Sequence, residues 1–411
     1  MPHSIQRDAD MKIQTLAAAF AFAALASVAA HADPVAGRWD ATADIGGASI
    51  PFEFQIDGAG PAVRGHFFNG ENPTNPSSPG VFESGRLHLA FPSYAAVLDA
   101  SVADGKLEGT YTVSGHATVI HAVKAHGVAN ASGPAPRIAG EWIIPNHSPK
   151  GETAWRLIVH QKGGAVEATI LRIDGDTGTL SGHFDKGVFR LSHYAGERPT
   201  LLEVTPRGDG GLGLVLTDQS GRRELSALTA DRAKAAGATP SDPMNFTTVS
   251  DKAAPFAFNF PDLTGKAVSN TDQQFRHKVV VIDVMGSWCP NCHDEAPYLQ
   301  ALYAKHRHEG LEIVALDFEQ PDQLAKPDRL RAFIQRYGLT YTVLLAGQPK
   351  EAAAKLPQTV NLNAWPTTFF IGRDGRVKAV HVGFTSPGSG QRDIETKAAF
   401  EHEVDALLAQ R

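Results

Sequence analysis

The two cysteines of this 411-residue chain lie three positions apart, at Cys289 and Cys292. A structural disulfide framework distributes its cysteines along the chain, and a zinc site needs about four ligands. This pair instead follows an apolar run, Val279–Met285, and precedes a segment of helical character. A C-x-x-C motif at such a junction is typical of a centre that exchanges thiols and disulfides. The Pro290-Asn291 dipeptide between the cysteines predicts an exposed turn rather than two buried apolar side chains.

The first 32 residues have the composition of an export signal. Lys12 precedes an uncharged, alanine-rich run over residues 16–30, and the triplet at 30–32 is Ala-His-Ala. A basic start, a short apolar stretch and a small-x-small end predict a secretory signal peptide, with a mature chain that begins at Asp33. The apolar run is shorter than the about 20 residues that span a bilayer, so an uncleaved membrane anchor is the weaker alternative.

Charge and length narrow the classes of protein further. The net charge of −6 at pH 7 disfavours nucleic acid or an anionic membrane surface as the partner. Export permits structural disulfides, but this chain has no cysteine outside the C-x-x-C motif, so its stability depends on buried apolar cores. A chain of 411 residues is long enough for about two to three domains.

The part of the chain before the redox motif contains a repeat. Four short motifs recur in the same order, with offsets of 103, 117, 102 and 105 residues. Their members begin at Ala36 and Ala139, Val63 and Leu180, Gly85 and Gly187, and Asp104 and Asp209. A period near one hundred residues indicates two related domains rather than a solenoid. We attribute the larger second offset to an extra loop in the second unit.

Both repeated units have the pattern of antiparallel β-sheets. Short runs that alternate apolar and polar residues, such as Ser49–Ile56, are separated by Gly, Asp and Pro turns, and helical periodicity is absent. We predict a β-rich unit 1 over residues 33–133 and a β-rich unit 2 over residues 137–230, forming a barrel or a sandwich each or together. Residues 231–254 are rich in Ala, Pro, Ser and Thr and are interpreted as an interdomain linker.

The two β units lack the residue patterns that indicate catalysis or the binding of phosphate or metal. They contain no nucleophile set, phosphate-binding loop or metal-ligand spacing. We therefore expect a binding or scaffolding role, in which these units present the redox domain to a partner or form a dimer.

Residues 255–411 alternate strand and helix patterns, which predict an α/β domain with a mixed sheet covered on both faces. The predicted strands are Phe256–Phe260, Val279–Met285, Leu311–Phe318, Thr342–Leu345, Thr367–Ile371 and Val377–Val382. The predicted helices cover residues 290–308, Asp328–Tyr337 and 395–410. The fold class is therefore multidomain, with all-β repeated units followed by an α/β domain.

The position of Cys289 at the start of a helix makes it the expected nucleophile. Unpaired backbone N–H groups and the positive end of the helix dipole stabilise a thiolate there, and such cysteines have pKa values of roughly 3.5–7.5. Cys289 would attack the disulfide of a partner and form a mixed disulfide. Cys292, one helical turn further on and more buried, would then attack that bond and release the reduced partner.

Two acidic residues are candidates for the base that deprotonates Cys292. Asp283 lies in the apolar strand before the motif, where burial would raise the pKa of its carboxyl group. Glu295 lies three residues after Cys292, on the same face of the predicted helix. The alternatives are a hydrogen-bonded strand carboxylate for Asp283 and a solvated helix residue for Glu295. One base is sufficient for the reaction.

A second motif, Trp365-Pro366-Thr367, follows the C-x-x-C at a distance that strengthens its interpretation. A proline that opens a strand has no N–H to donate and is compatible with a cis peptide bond. We predict that Trp365, Pro366 and Thr367 bind the substrate, together with Trp288, which would shield one side of the site.

These residues together resemble the thioredoxin superfamily, and in particular the TlpA/ResA-like family of exported disulfide reductases, over residues 255–411. The resemblance implies that Cys289 and Cys292 are the redox pair, that Pro366 is the cis-proline of the family, and that Glu295 and Asp283 are acids of the active site. It also implies a periplasmic protein that needs no cofactor, receives electrons from a membrane thiol transporter and reduces thiol proteins such as apocytochromes or metallochaperones. Trp365 departs from the family pattern, where a smaller residue is common, and would narrow the substrate groove.

The leading interpretation is a thiol-disulfide oxidoreductase that acts as a protein-disulfide reductase. A disulfide oxidase or isomerase would have the same residues and a different reduction potential. A peroxidase is disfavoured, because peroxiredoxin-type sites have Thr or Ser where Gly286 stands. A module that binds Cu(I) through Cys289, Cys292 and His293 is an alternative from another class. The sequence predicts neither a resident metal nor an oligomeric state.

Overall fold

The computed structural model describes residues 35–125 and 134–410. The predicted signal peptide at residues 1–32 lies outside the described residues. Within the two described ranges, no helix combines the length and the apolar character needed to cross a bilayer.

The first β unit is a nine-stranded antiparallel sheet that curls into a barrel-like shape. Its spatial order is β4-β3-β2-β1-β9-β8-β7-β6-β5. The edges approach one another through a bridge between Val63 and Gly80, and the interior is filled by an apolar core that includes Trp39, Phe67 and Tyr111. The strands are β1 (Gly37–Ile45), β2 (Ala48–Asp57), β3 (Arg64–Asn69), β4 (Asn72–Thr74), β5 (Val81–Glu83), β6 (Arg86–Phe91), β7 (Ala96–Ala103), β8 (Lys106–Val113) and β9 (His116–Lys124).

The second β unit is a barrel of the same kind. Its main path is β10-β11-β12-β14-β15-β16-β17-β18, and the short strand β13 pairs with β12. Reciprocal backbone hydrogen bonds of 2.8 Å between Ile143 and Leu228 join the first strand to the residue after the last. The strands are β10 (Gly140–Pro145), β11 (Ala154–Lys162), β12 (Ala165–Arg172), β13 (Gly175–Asp176), β14 (Leu180–Asp185), β15 (Val188–His193), β16 (Thr200–Pro206), β17 (Leu212–Asp218) and β18 (Gly221–Ala227).

The structure confirms two barrel-like β units and corrects one of the four motif pairs. Trp39 and Trp142 are equivalent, because each indole N–H donates to the carbonyl four residues earlier, at 2.9 Å. The motif at Val63 leads into β3, however, whereas the motif at Leu180 forms β14. In strand order β14 matches β5, and β3 matches β12. The offset of 117 therefore joins non-equivalent strands, and the proposed extra loop is wrong.

The predicted linker contains structured segments. The short helix α1 (Ala230–Ala235) packs against β10 through the buried Ala233 and its neighbour Ile143. The strand β19 (Thr248–Val249) pairs with β25 (Thr359–Val360) of the last domain. The segment is thus held against the domains on both sides.

The last domain has the mixed sheet that the sequence predicts. Its order is β24-β23-β22-β26-β27, with β22, β23 and β24 parallel and β26 and β27 antiparallel to their neighbours. The strands are β20 (Asn259–Pro261), β21 (Ala267–Ser269), β22 (Val279–Met285), β23 (Leu311–Phe318), β24 (Thr342–Gly347), β26 (Thr367–Ile371) and β27 (Val377–Val382). The helices are α2 (Pro290–His306), α3 (Asp328–Tyr337), α4 (Ala352–Lys355) and α5 (Gln391–Leu408). Four of the six predicted strands match the structure, and the exceptions are β20, which is shorter, and β24, which continues to Gly347.

Alternate residues of β22 enter two apolar cores on opposite faces of the sheet. Val280, Ile282 and Val284 join one core, whereas Val279 and Val281 join the core that contains the two cysteines. This alternation places Asp283 on the same face as the cysteines. The redox motif therefore lies at the end of the central strand, above a buried carboxyl group.

Candidate active site

The cysteine motif is held at a tight junction between β22 and α2. Cys289 is the N-cap of α2, and Pro290 occupies the first helical position, where its missing N–H costs no hydrogen bond. The carbonyl of Cys289 accepts from the N–H groups of Cys292 at 3.1 Å and His293 at 3.2 Å. A side chain at Gly286 would overlap the indole of Trp288, so this close turn requires glycine.

Both cysteines are free thiols and both are buried, with exposed fractions of 0% for Cys289 and 1% for Cys292. Asn291 between them is 1% exposed. The expectation of an exposed turn is therefore wrong. The physical reason is that the second β barrel covers the start of α2, where the amide of Asn291 donates to the carbonyl of Asp174 at 2.6 Å.

The two thiols have opposite acidities. Burial raises the pKa of Cys289, but the hydrogen bond from Cys292 and the positive charge of Arg198 outweigh it and lower that pKa to about 7. Burial and the neighbouring Cys289 raise the pKa of Cys292 well above its usual range. The geometry therefore favours a thiolate at the first cysteine and a protonated thiol at the second.

Asp283 and Glu295, both predicted as candidate bases, lie together under the cysteines. Burial and the charge of Cys289 raise the pKa of Asp283 to about 8, and burial together with Asp283 raises the pKa of Glu295 well above its usual range. One oxygen of each carboxyl group, Oδ1 of Asp283 and Oε2 of Glu295, is buried without a donor among the described residues. When one of the two carboxyl groups is protonated, it can donate a hydrogen bond to the free oxygen of the other.

Thr368 completes this acid pair and was not predicted from the sequence. It lies opposite Asp283 in the pairing of β22 with β26, and its hydroxyl donates to Oε1 of Glu295 at 2.6 Å. Thr367, which was predicted to bind substrate, is fully buried and donates to the carbonyl of Ala364 at 2.8 Å.

The other predicted substrate-binding residues gather beside Cys289. The Trp365–Pro366 peptide bond is cis, and Sγ of Cys289 lies 3.6 Å from the carbonyl oxygen of Trp365. The rings of Trp288 and Trp365 meet edge to face, with centroids 6.1 Å apart. The indole N–H of Trp288 donates to the carbonyl of Phe318 at 2.9 Å, which fixes its ring.

A buried ion pair anchors the loop before Cys289. Arg329 and Glu319 are almost fully buried, and their closest atoms lie 2.8 Å apart. The hydroxyl of Ser287 donates to Glu319 at 2.7 Å, and its backbone N–H donates to Asp317 at 3.0 Å. The loop residue next to Trp288 is therefore tied to β23 and α3.

His293 does not face the cysteines. Its two ring nitrogens are engaged by the hydroxyl of Tyr337 at 2.9 Å and by the carbonyl of Ser287 at 2.8 Å. Its ring stacks on Tyr94 of the first barrel, with centroids 4.2 Å apart. The residues that the structure describes contain no group of three or more His, Cys, Asp or Glu side chains arranged to hold a metal ion. The Cu(I) alternative therefore lacks its third ligand.

The two barrels, called the β region below (residues 35–227), contact the redox domain around the start of α2. Asp176 of β13 accepts hydrogen bonds from Ser386 and Ser389, and Gly175 forms a β-bridge with Phe384. Arg336 of α3 donates to the hydroxyl of Ser93 in the first barrel at 2.9 Å. These contacts hold the β region against the redox domain next to the buried Cys289.

A cavity of about 710 Å³ lies between the β region and the redox domain. Its lining includes Trp288 and Arg329 from the redox domain and Tyr194 and Glu197 from the second barrel. Burial raises the pKa of Glu197 to about 7. Polar side chains of the redox domain and of the second barrel therefore line the same cavity, next to Trp288.

Comparisons with known proteins indicate the family to which this chain belongs. A family model described as AhpC/TSA matches residues 249–380. The thiol-disulfide oxidoreductase ResA of Geobacillus kaustophilus is 30% identical over 139 residues, which make up 34% of this chain and 73% of that protein. The chain belongs to the ResA family of thiol-disulfide oxidoreductases.

Two further known proteins match 31% and 42% of the chain. ResA of Bacillus anthracis is 33% identical over 126 residues, so the match spans 66% of that relative's length and 31% of this chain. A solved thioredoxin-family thiol:disulfide interchange protein of Chlorobium tepidum has 22% identity and a TM-score of 0.31, covering 42% of this chain and 100% of that one. The β region lies outside the residues that the AhpC/TSA family model matches.

The most important group that sequence reasoning missed is Arg198. It lies in the loop between β15 and β16, and its guanidinium Nη2 is 3.9 Å from Sγ of Cys289, across 91 residues of sequence. The β units were predicted to carry no chemistry, because no motif marks an isolated arginine as part of a distant redox site. A residue from outside the matched domain thus lies beside the first cysteine of the pair.

Proposed function

We propose that this protein is an exported, periplasmic thiol-disulfide oxidoreductase that reduces disulfides of partner proteins through Cys289 and Cys292. The supporting observation is the division of acidity between the two thiols, above a buried pair of carboxyl groups. Membership of the ResA family supports protein disulfides as the substrate class. The reductive direction and the location follow from the resemblance of the motifs and from the predicted signal peptide.

The reaction needs two exchanges. The Cys289 thiolate attacks one sulfur of the partner's disulfide, so an S–S bond forms between Cys289 and the partner while the other partner sulfur leaves as a thiolate. Cys292 then loses its proton and attacks Sγ of Cys289, which releases the second partner thiolate and leaves a Cys289–Cys292 disulfide. The partner gains two electrons, and the enzyme becomes oxidised by the same two electrons.

The acid pair is placed to take the proton of Cys292. The negative charge of Cys289 helps to raise the pKa of Asp283, and this charge disappears when Cys289 enters the mixed disulfide. The unprotonated carboxylate of the Asp283–Glu295 pair can then accept the proton as Cys292 attacks. A thiol donor, which we propose to be a membrane thiol transporter, reduces the Cys289–Cys292 disulfide and closes the cycle.

The substrate-binding residues are proposed to be Trp288, Trp365, Pro366 and Thr367. Because Cys289 is fully covered, a protein substrate reaches its sulfur only after the β region separates from the start of α2. The β region therefore controls access to the site as well as presenting it.

The reduction potential of the Cys289–Cys292 pair tests the proposed direction. Equilibration of the full chain with a glutathione series, read by differential alkylation and mass spectrometry, gives this potential. A value near that of thioredoxin, about −270 mV, supports a reductase, whereas a value near that of DsbA, about −120 mV, would indicate an oxidant. In a parallel assay, the wild-type chain should reduce insulin disulfides with a thiol donor, and Cys289→Ser should not.

A further inference from the structure

We propose that Arg198 of the second barrel is part of the redox centre, and that its guanidinium holds Cys289 as a thiolate. The inference rests on the proposed function, in which Cys289 is the nucleophile. It gives the β region a chemical part in the reaction in addition to its control of access.

The guanidinium has no carboxylate partner in the described parts of the chain. Arg198 forms no ion pair there, and the acceptor within reach of its Nη2 is Sγ of Cys289 at 3.9 Å. A partly buried cation without a carboxylate gains most from another anion nearby, because removal from water is costly for an unpaired charge. The thiolate of Cys289 is that anion.

The backbone of Arg198 is held in an unfavourable conformation that brings the side chain to this position. Its φ angle is +47°, in the left-handed region that non-glycine residues rarely adopt. The hydroxyl of Thr200 donates to the carbonyl of Arg198 at 3.0 Å and stabilises the turn. Such residues persist where their surroundings hold them, and they cluster at functional sites.

The charged or titratable groups that also act on the guanidinium are Asp174, Glu197, Arg172, Tyr94 and Cys292, and it forms no ion pair with any of them within the described residues. Asp174, in the turn between β12 and β13, lies near both the guanidinium and Cys289 and would compete for the guanidinium. Lys150 pairs with Asp174 at 2.5 Å and neutralises it. The charged or titratable groups that act on Cys289 are Arg198 and Asp174 from the β region and Cys292, Asp283, Glu295 and Asp294 from the redox domain. Among these groups, Arg198 is the cation.

The test is a pH titration of thiolate absorbance near 240 nm, measured as the difference between reduced and oxidised full-length protein. This readout does not require a reagent to enter the covered site, and the chain has no other cysteines. The wild type should show a midpoint near pH 7, the value to which the pKa of Cys289 is lowered. Arg198→Gln should raise this midpoint by about one pH unit or more, as removal of an adjacent opposite charge does.

Two further variants make the result specific. Arg198→Lys keeps the charge and should restore most of the shift. Arg222→Gln removes an arginine of the same barrel that pairs with Glu224 on the surface, and it should leave the midpoint unchanged. If Arg198→Gln does not fold, as judged by circular dichroism, Arg198→Met, which keeps an unbranched apolar side chain without the charge, takes its place: a midpoint about one pH unit or more above that of the wild type supports the inference, and a smaller shift overturns it.

The possible outcomes separate this inference from the proposed function. A wild type that reduces insulin and titrates near pH 7, with a folded Arg198→Gln that titrates like Arg222→Gln, overturns the role of Arg198 alone. A wild type without thiolate absorbance near neutral pH and without insulin reduction overturns the proposed function itself.

Discussion

At the scale of single residues, the site is defined by the protonation states of two thiols and two carboxyl groups. Cys289 can lose its proton near neutral pH, Cys292 retains its own, and burial raises the pKa values of the carboxyl groups of Asp283 and Glu295. Each of these states depends on burial together with a specific neighbour. Removal of one neighbour should therefore change a step of the reaction rather than the whole of it.

Asp283→Asn should slow the resolving step. The amide cannot accept the proton of Cys292, so the mixed disulfide should persist about tenfold longer or more, within the range that general-base catalysis contributes. Rapid-quench trapping of the complex with insulin would measure its lifetime. Asp328→Asn, at an exposed acid of α3 that pairs with Lys326, is the matched control and should behave like the wild type. An unchanged lifetime in Asp283→Asn would show that Asp283 is not the base.

The raised pKa of Asp283 also predicts a pH dependence of stability. The folded protein holds this proton up to about pH 8, whereas the unfolded chain loses it near the ordinary value for an aspartate. The stabilisation is therefore present at low pH and is lost as the pH rises from about 4 to about 8, by at most about 1.4 kcal/mol per pH unit. Urea unfolding of the reduced wild type and of Asp283→Asn at pH 5 and pH 8 measures this. The difference between the two proteins should change with pH in this direction, and a constant difference contradicts it.

At the scale of elements, the junction between β22 and α2 is defined by a glycine without room for a side chain. Gly286→Ala should move the indole of Trp288 and lower the free energy of unfolding by about 1–3 kcal/mol, as overpacking does. Chemical denaturation with tryptophan fluorescence would report both effects. Gly208→Ala is the control, because its Cβ meets open space at an ordinary backbone angle. Equal stability of the two variants would show that the junction tolerates a side chain.

Most elements of the redox domain could be predicted from the sequence because their signals are local. The apolar run Val279–Met285 and the helix Asp328–Tyr337 have the predicted bounds. The motif pair between Val63 and Leu180 does not join equivalent strands, although both motifs contain the Gly-His-Phe pattern. A repeated strand pattern fixes neither the number of strands between two matches nor their order in a sheet.

At the scale of the whole molecule, the β region covers a site that, under the proposed function, reacts with other proteins. The burial of Cys289 and the contacts of Arg198, Asp174 and Tyr94 join residues far apart in sequence. No periodicity or motif in the chain records such contacts, because they depend on how complete domains pack. The positions of the two cysteines and the two acids could therefore be predicted from the sequence. Their burial under the β region and the presence of Arg198 beside Cys289 could not.

Loosening this cover should expose the nucleophile. Asp176→Ala removes the acceptor of the hydrogen bonds from Ser386 and Ser389, each worth roughly 1.5–3 kcal/mol if the carboxylate is charged. Alkylation of Cys289 by iodoacetamide at pH 7 should become about tenfold faster or more, as measured by mass spectrometry. Asp209→Ala, at an exposed acid of the same barrel that pairs with Arg232, should leave the rate unchanged. Equal rates in both variants would mean that these bonds do not hold the cover in place.

The proposed reaction depends on the order in which the two sulfurs act, and trapping of the covalent intermediate reveals that order. Reduced Cys292→Ser and Cys289→Ser chains are incubated with insulin at pH 7, quenched with acid and analysed by mass spectrometry without a reductant. We expect a stable mixed disulfide between insulin and Cys289 in Cys292→Ser, and none in Cys289→Ser. A complex formed through Cys292 in Cys289→Ser, or no complex in either variant, would contradict it.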